Sequence, residues 1–362
     1  MEIILIFGAF IISTVLVLLT VPPIVKIANA KKLYEPFEER KVHTKIVPPL
    51  GGVAIFIAFV LSTIIATDGL NFHSLKYIIA AVIIMFFIGL KDDILVISAR
   101  KKLMIQAFAA TLLITMGDIR FTNLHGMLGI YELNYLPSIS LTLFAMLGII
   151  NAFNLIDGID GLASGISTIA SSSFGLWFYL SGNYELSIMS FALAGSLVGF
   201  FAFNVFGTKN KLFMGDTGSL IIGIVVAVLV VKFNELNLIA DKYAITSAPA
   251  FSLALISVPI IDTLRVFTIR ISLGKSPFAP DKNHIHHTLL NVFPGRHLRV
   301  TLIIMAANIV MIGLGILFSY TSWGSNTQFT LLLLIGILFS LLPGLISTSK
   351  RNRKSLKAAT AS

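Results

Sequence analysis

The sequence predicts an all-α, polytopic integral membrane protein with about eleven transmembrane helices and its polar loops gathered on the cytoplasmic side. Of the 362 residues, 56% are hydrophobic and only 12% are charged, and the mean hydropathy is +0.92. The mean hydropathy lies far above that of soluble domains, and the charged fraction lies well below theirs. The apolar residues also fall into runs that match the roughly 17 to 25 residues a helix needs to cross a bilayer.

Eleven such runs follow one another along the chain. The run at 102–116 is short and needs flanking residues or a thin bilayer, so ten spans are an alternative. The first run carries Glu2 instead of a basic patch and is too long for a signal peptide, so we expect it to remain as a helix. The predicted spans lie near 2–28, 50–67, 74–90, 102–116, 138–154, 161–181, 187–206, 218–233, 244–264, 301–320 and 328–347.

Lysine and arginine indicate the orientation of these spans. With eleven spans, the loops after helices 1, 3, 5, 7 and 9 share one face with the C-terminus, and this face carries all but four of the 27 basic residues. By the positive-inside rule that face is cytoplasmic, which places the N-terminus outside the inner (plasma) membrane. The exceptions are Lys76, Arg120, Lys232 and Lys242.

Net charge and cysteine content narrow the classes of partner. The formal net charge is +10, but the basic residues flank membrane spans, so we expect attraction to anionic membrane lipid and no nucleic-acid partner. The sequence has no cysteine, which excludes disulfides and thiolate metal sites. We assign residues 1–349 to a single transmembrane domain and residues 350–362 to a basic cytoplasmic tail.

The polar clusters of the chain fall on the predicted cytoplasmic face. If the polar loops had no shared role, acidic residues and histidines should divide between the two faces, yet the outer face has only scattered single acids. We therefore expect these distant loops to converge at the cytoplasmic membrane surface. The clustered residues are Asp92, Asp93, Asp157, Asp160, Asp216, Asp281, His284, His286 and His287.

Asp92 and Asp93 stand next to each other at the end of the third apolar run. Adjacent aspartates are commonly solvated, but a helix C-terminus disfavours negative charge by up to about 1 kcal/mol. Two close carboxylates can hold a divalent cation or raise the pKa of one partner. A structural role and a metal or proton-transfer role both remain open, and the second is favoured.

The stretch NAFNLIDGIDG at 151–161 carries Asn151, Asn154, Asp157 and Asp160. On a helix or tight turn, a spacing of three residues stacks these side chains on one side. Capping of the flanking helices explains one or two of them, but not four. The stretch also resembles the signature of the phosphatidyl-alcohol transferases, but Ser164 and Gly165 stand where that signature has alanine and arginine. We therefore reject that family.

Two further clusters favour an anionic ligand. FMGDTGS at 213–219 places Asp216 between glycines before a helix, where backbone N–H groups favour an anion and the carboxylate suggests a bridging metal. An N-cap at Asp216 or Thr217 is the simpler alternative. HIHH at 284–287 matches no common zinc spacing and has cationic neighbours such as Arg270. An anionic or sugar ligand is therefore favoured over zinc.

Carboxylates beside cations and histidines at a membrane surface suit a substrate whose phosphates are neutralised by Mg²⁺. Mg²⁺ commonly takes one or two protein carboxylates and fills its remaining positions with phosphate oxygens and water. The chain has no GxxxxGK[ST] loop, which argues against an ATPase. An ion-coupled secondary transporter is the main rival, but transporters place coupling acids near the midplane of broken helices, whereas here the acids lie at loop ends.

Five motifs occur in order along the chain: RKVHTKIVPPLGG at 40–52, GLKDD at 89–93, NAFNLIDGIDGLASG at 151–165, FMGDTGS at 213–219 and SPFAPDKNHIHH at 276–287. As a set they resemble the polyprenyl-phosphate N-acetylhexosamine-1-phosphate transferases of glycosyl transferase family 4. The resemblance implies that undecaprenyl phosphate attacks the β-phosphorus of a UDP-N-acetylhexosamine, releases UMP and leaves a lipid diphosphate sugar that initiates cell-envelope glycan synthesis. It also implies Mg²⁺, with Mn²⁺ as an alternative, and a homodimer.

The resemblance also implies roles for individual residues. Asp216 matches the Mg²⁺ ligand, with Asn154 as a second contact. Asp92 matches the residue that deprotonates the lipid phosphate, with Asp93 beside it. The residues matched to substrate binding are Lys45 near the phosphates, Asp157, Asp160 and Phe213 at positions associated with nucleotide binding and active-site order, and His284, His286 and His287 at the diphosphate or sugar. We also expect Asn151 and Arg270 to contribute to substrate binding.

The histidine motif bears on the donor sugar. HIHH after SPFAPD is similar to the branch that uses UDP-N-acetylglucosamine. The peptidoglycan branch, which transfers phospho-N-acetylmuramoyl-pentapeptide, has a different histidine motif and TPTMGG where this chain has VPPLGG. We expect N-acetylglucosamine, although relatives with HIHH use other N-acetylated sugars, and the peptidoglycan-type translocase remains the alternative.

Overall fold

The computed structural model describes residues 1–33, 47–67, 73–276 and 283–359, with side chains up to residue 345. The described parts are helical, as predicted, with one isolated bridge between Asn123 and Glu132 and a 3₁₀ turn at Met127–Gly129. The helices are α1 (Glu2–Lys31), α2 (Gly51–Ala66), α3 (Leu75–Ile94), α4 (Ala99–Thr115), α5 (Tyr135–Ile156), α6 (Leu162–Leu180), α7 (Tyr184–Phe206), α8 (Gly215–Asn237), α9 (Ala248–Leu255), α10 (Ser257–Ser272), α11 (Ile285–Val292), α12 (His297–Ser319) and α13 (Ser325–Ala359).

Among the described residues, six helices are long and apolar enough to cross a membrane: α1, α5, α7, α8, α12 and α13. The bent pair α9 and α10 makes up to seven. The protein is therefore a multi-pass membrane protein, as predicted, but the count of about eleven spans is not confirmed. Each remaining apolar run does form a helix, but α2 has only 16 residues, and α3 and α4 include charged residues at their adjoining ends.

Helix α8 lies at the centre of the bundle. Its side chains are buried without interruption from Thr217 to Val231, whereas α1, α12 and α13 expose many large apolar side chains. Exposed apolar side chains suit helices that face lipid. Because α8 packs against α2, α3, α5 and α6, its first turn lies among the ends of other helices.

Two glycines allow the neighbouring helices to approach α8 closely. A Cβ atom on Gly89 of α3 would lie 2.4 Å from the Cα atom of Thr217, and one on Gly52 of α2 would lie 2.2 Å from the backbone N of Gly218. Small residues at helix crossings permit such backbone approach in membrane proteins. The close crossing brings the end of α3 to the first turn of α8.

The predicted span at 244–264 is a broken helix. Helix α9 ends at Leu255, and the axis of α10 is turned by 82° from that of α9. Pro259, in the first turn of α10, has no N–H to donate to the Leu255 carbonyl. The side-chain amide of Asn308 on α12 donates to that carbonyl over 3.3 Å instead. The bend is therefore stabilised by a neighbouring helix, as a backbone group in a membrane interior requires.

The structure also contains a short helix that the hydropathy runs did not predict. Helix α11 begins directly after His284 and buries Leu289 and Val292. It packs against α12 and α13. The HIHH motif therefore lies at the start of a helix inside the bundle.

We expect Gly89→Ala to lower the unfolding temperature of the purified protein, because the new Cβ atom must displace the backbone of α8 at Thr217. Overpacking of this kind costs roughly 1–3 kcal/mol. The matched control is Gly148→Ala on α5, where a Cβ atom meets no other atom within 4 Å. Equal melting temperatures for the two variants in detergent would contradict the close crossing.

Candidate active site

The turn before α8 is held by the segment that precedes α2. The N–H of Phe213 donates to the Pro48 carbonyl over 3.0 Å, and the N–H of Gly51 donates to the Phe213 carbonyl over 2.9 Å. Gly215 has a φ of 71°, and a Cβ atom there would lie 2.2 Å from the Pro49 carbonyl oxygen. Phe213 thus contributes its backbone to the order of this turn. The VPPLGG and FMGDTGS motifs lie side by side.

Asp93 caps α8 from a different helix. One carboxylate oxygen accepts the N–H of Asp216 over 2.6 Å, and the other accepts the N–H and the hydroxyl of Thr217 over 3.0 and 2.5 Å. The first N–H groups of a helix have no acceptor within the helix. The sequence-based alternative of an N-cap at Asp216 or Thr217 is therefore wrong, because the cap comes from α3.

Lys102 joins the two remaining acids of this region. Its Nζ atom lies 3.0 Å from Oδ2 of Asp92 and 2.6 Å from Oδ2 of Asp216. The other oxygen of Asp92 accepts the N–H of Ile97 over 2.7 Å. The side chains of Lys102 and Asp92 are 14% and 10% exposed, so water screens this attraction only weakly. Two carboxylates around one ammonium leave the cluster negatively charged.

Asn154 brings the third motif to the same place. Its side-chain amide donates to Oδ1 of Asp216 over 2.6 Å and to the Ser219 hydroxyl over 2.8 Å. Asn151, one turn earlier, instead donates to Gln106 over 3.0 Å and to the Leu147 carbonyl over 2.7 Å. The contacts of Asn151 therefore tie α5 to α4, whereas those of Asn154 reach the acidic cluster.

Asp160 belongs to a second charged cluster. Its Oδ2 atom lies 2.6 Å from Nζ of Lys211 and 3.7 Å from Nδ1 of His297. Asp160 and His297 line a cavity of about 420 Å³, together with Arg296 and Arg299. The cavity is rich in cationic groups, which suits an anionic group of a ligand.

Asp157 directly follows α5. Burial raises the pKa of Asp157 to about 7, and the negative charges of Asp216, Asp93 and Asp160 act in the same direction. The acids that surround the end of α5 therefore repel one another. A bound cation would relieve this repulsion.

The histidines of HIHH form a stack. Nδ1 of His284 lies 2.9 Å from Oδ2 of Asp262. The ring of His286 is nearly parallel to that of His284, with centroids 5.6 Å apart, and lies 4.3 Å from the ring of His287. Burial lowers the pKa of His286 to about 3, so this ring is neutral at physiological pH.

Gly158 connects the third motif to the histidines. A Cβ atom at Gly158 would lie 2.1 Å from Nε2 of His286, and His286 is only 2% exposed. Only glycine allows this approach without a shift of the ring. The stretch NAFNLIDGIDG therefore contacts the acidic cluster through Asn154 and the histidines through Gly158.

Two other residues predicted to bind substrate are Arg270, which the structure describes, and Lys45, which it does not. Arg270 is buried in the last turn of α10, and its guanidinium lies 5.8 Å from the ring centroid of Phe267. Lys45, like Asp281, lies outside the described residues.

Comparison with known proteins identifies the family. The sequence model of glycosyl transferase family 4 matches residues 75–234. The chain is 31% identical over 292 residues to the "Undecaprenyl-phosphate alpha-N-acetylglucosaminyl 1-phosphate transferase" of Escherichia coli (strain K12), covering 80% of this chain and 77% of that protein. It is 32% identical over 342 residues to the "Probable undecaprenyl-phosphate N-acetylglucosaminyl 1-phosphate transferase" of Bacillus subtilis (strain 168), covering 94% and 92%.

The chain belongs to glycosyl transferase family 4. This membership confirms the resemblance that the five motifs indicated, and it favours a membrane transferase over the rival secondary transporter. In this glycosyl transferase family 4 protein, the matched residues 75–234 include every side chain of the cluster around Asp216. The HIHH motif lies beyond the matched region.

Sequence reasoning missed three charged residues of this family 4 site. The positive-inside rule treats Lys102 and Lys211 only as orientation signals. The short distance between KDD and ARKK along the chain is the signal that could have shown Lys102 to be near the acids. Asp262 stands alone within the apolar run at 244–264, and a lone acid in such a run is itself a functional signal.

We expect Asp93→Asn to destabilise the protein, because an amide has one acceptor oxygen where the carboxylate uses two. An N–H of α8 would then lack an acceptor, which costs about 1–3 kcal/mol when buried. The measurement is the thermal unfolding midpoint, with the exposed Asp241→Asn as the matched control. A midpoint equal to that of the control would show that Asp93 does not cap α8.

Asp157 should make stability depend on pH. Its folded-state pKa of about 7 lies above the usual 3.8, so protonated Asp157 favours the folded state, and this contribution is lost as pH rises from about 4 through about 7. The melting temperature of Asp157→Asn minus that of the wild type should therefore increase from pH 5 to pH 8. A difference that stays constant over this range would refute the raised pKa.

Proposed function

We propose that this protein transfers N-acetylhexosamine 1-phosphate from a UDP-sugar to undecaprenyl phosphate, with N-acetylglucosamine as the preferred sugar. An oxygen of the lipid phosphate attacks the β-phosphorus of the UDP-sugar. The bond from this phosphorus to the bridging oxygen breaks, and UMP leaves with the bonding electrons. The product is a lipid diphosphate sugar.

The observation that carries this proposal is the meeting of Asp92, Lys102 and Asp216 at the N-terminus of α8. Phosphoryl transfer depends mainly on positioning and on neutralising negative charge. The cluster contains carboxylates that can hold a proton or a cation, and an ammonium that can neutralise a phosphate. Its position at the ends of apolar helices suits the reaction of a soluble donor with a lipid acceptor.

The donor set fits a magnesium ion with few protein ligands. Among the described residues, no group of three histidine, cysteine or acidic side chains could hold a metal, but Mg²⁺ commonly takes one or two carboxylates and completes its shell with phosphate oxygens and water. We propose Asp216 as the ligand and Asn154, which touches it, as a second contact, with Mn²⁺ as an alternative ion. When bound, the ion supplies positive charge to the diphosphate.

The chain's own residues have separate roles in this mechanism. Asp92 accepts the proton of the lipid phosphate, and its orientation is maintained by the N–H of Ile97. Lys102 balances the charge of Asp92 until the phosphates bind. Asp93 positions the first turn of α8, so that Asp216 faces Lys102 and Asn154.

We further propose that the cluster faces the cytoplasm. It combines the C-terminal ends of α3 and α5 with the N-terminal ends of α4 and α8, so these ends lie on one side of the membrane. The basic residues of the sequence favour the cytoplasmic side. The donor nucleotide would then arrive from the cytosol, where the cationic cavity beside Asp160 suits its anionic groups.

Purified protein with Mg²⁺, undecaprenyl phosphate and radiolabelled UDP-N-acetylglucosamine should form a butanol-soluble product and an equal amount of UMP. A panel of UDP-sugars, including the muramoyl pentapeptide, identifies the donor. We expect Asp216→Asn and Asp92→Asn each to lower kcat at least about 100-fold, the scale on which the loss of one charge-stabilising group acts. Chelation with EDTA should also abolish turnover.

The control for both variants is Asp241→Asn, which makes the same chemical change at an exposed position. Its activity should equal that of the wild type. Full activity in both Asp216→Asn and Asp92→Asn, with normal melting curves, would exclude the proposed site. Absence of product with every UDP-sugar would exclude the proposed reaction.

A further inference from the structure

Asp262 is a buried acid to which the proposed mechanism gives no role. It lies on α10 after the bend between α9 and α10, and its side chain is only 3% exposed. A buried carboxylate without partners is strongly disfavoured. The hydrogen bonds of Asp262 therefore indicate how its buried carboxylate is stabilised.

Three donors from two segments converge on the Asp262 carboxylate. Oδ1 accepts the backbone N–H of Ile285 over 3.0 Å and a guanidinium N–H of Arg265 over 2.9 Å. Oδ2 lies 2.9 Å from Nδ1 of His284. Arg265 also donates to the Asn283 carbonyl over 2.5 Å. Asp262 therefore caps α11 and contacts the first histidine of HIHH with the same side chain.

This contact determines which nitrogen of His284 carries the proton. A carboxylate accepts hydrogen bonds and cannot donate them, so the nitrogen that faces Asp262 must carry a hydrogen. In a neutral ring, Nε2 is then the acceptor, and in a charged ring Nε2 is a second donor. The ring of His286 stacks on the ring of His284, so the pair formed by Asp262 and His284 (the Asp262–His284 dyad) has a neighbouring imidazole on one side.

We propose that Asp262 is a positioning residue that holds His284 as the Nδ1–H tautomer and presents its Nε2 atom as a hydrogen-bond acceptor to a hydroxyl group of the sugar nucleotide. The identity of this ligand rests on the proposed function, whereas the tautomer does not. Asp262 acts through His284 and does not touch the ligand itself. Among the described residues, Asp262 on α10 and His286 on α11 contact the His284 ring, Arg265 binds Asp262, and His287 lies against His286.

The first test reads the tautomer directly. In ¹⁵N NMR spectra of histidine-labelled protein, the His284 signals are identified by their loss in His284→Gln. We expect a protonated Nδ1 in the wild type. In Asp262→Asn, the side-chain amide can donate to Nδ1, which selects the Nε2–H tautomer. A wild-type ring with an unprotonated Nδ1 would overturn the proposal, even if Asp262→Asn fails to fold.

The second test asks whether Asp262 acts through His284. We expect Asp262→Asn to lower kcat/KM by about 10- to 100-fold, as is usual for a group that orients another ligand-binding side chain. The double variant Asp262→Asn/His284→Gln should then be no worse than His284→Gln alone, whereas independent roles would multiply. Asp262→Glu, which keeps the charge, should recover part of the activity.

The two tests separate failure of this inference from failure of the proposed function. Multiplying losses in the double variant would show that Asp262 stabilises the fold independently of His284. A protein that shows the expected tautomer but transfers no sugar phosphate would retain the Asp262–His284 dyad and lose its assigned ligand. Melting curves of each variant exclude loss of folded protein as the cause of lower kcat/KM.

Discussion

The buried N-terminus of α8 is the constraint on which the rest of the site depends. The first N–H groups of a helix lack acceptors within the helix, and leaving them unpaired in a protein interior costs free energy. Asp93 provides these acceptors from α3, and the backbone of Pro48 to Gly52 pairs with the preceding turn. The position of Asp92 is determined by that of Asp93, because the two residues are adjacent in the chain. The cap therefore also brings Asp92 close to Asp216.

The balance of acidic and basic side chains around α5 and α8 makes this site suitable for binding cations and phosphates. Acids around the end of α5 and the start of α8 repel one another, while Lys102 and Lys211 each bind an acid directly. The region is negative enough to attract a divalent cation and still contains ammonium groups that can meet phosphates. Glycines at the helix crossings allow these groups to lie close together inside a membrane bundle. Packing and electrostatics are thus coupled in this member of glycosyl transferase family 4.

Predictions from the sequence succeeded where they depended on composition and motifs. The all-α membrane fold and the family are confirmed. The structure connects the described parts of all five motifs, four through Asp93, Asn154 and Gly158 and the first through the backbone of Pro48 and Gly51. The count of about eleven spans is not confirmed, because an apolar run can form a short helix or a broken helix as well as a complete membrane span. The break at Leu255 depends on Pro259 together with a hydrogen bond from Asn308. That partner lies about fifty residues away in the chain.

The sequence by itself determined the membrane class, the family and the types of residue in the site, because hydropathy and motif order are properties of the chain. Only the tertiary structure decided which groups meet. Asp93 binds backbone N–H groups of another helix, Lys102 lies between two acids, and Asp262 binds the histidine that directly precedes α11. Such partners are far apart in the chain, and helix packing alone sets the distance between their atoms.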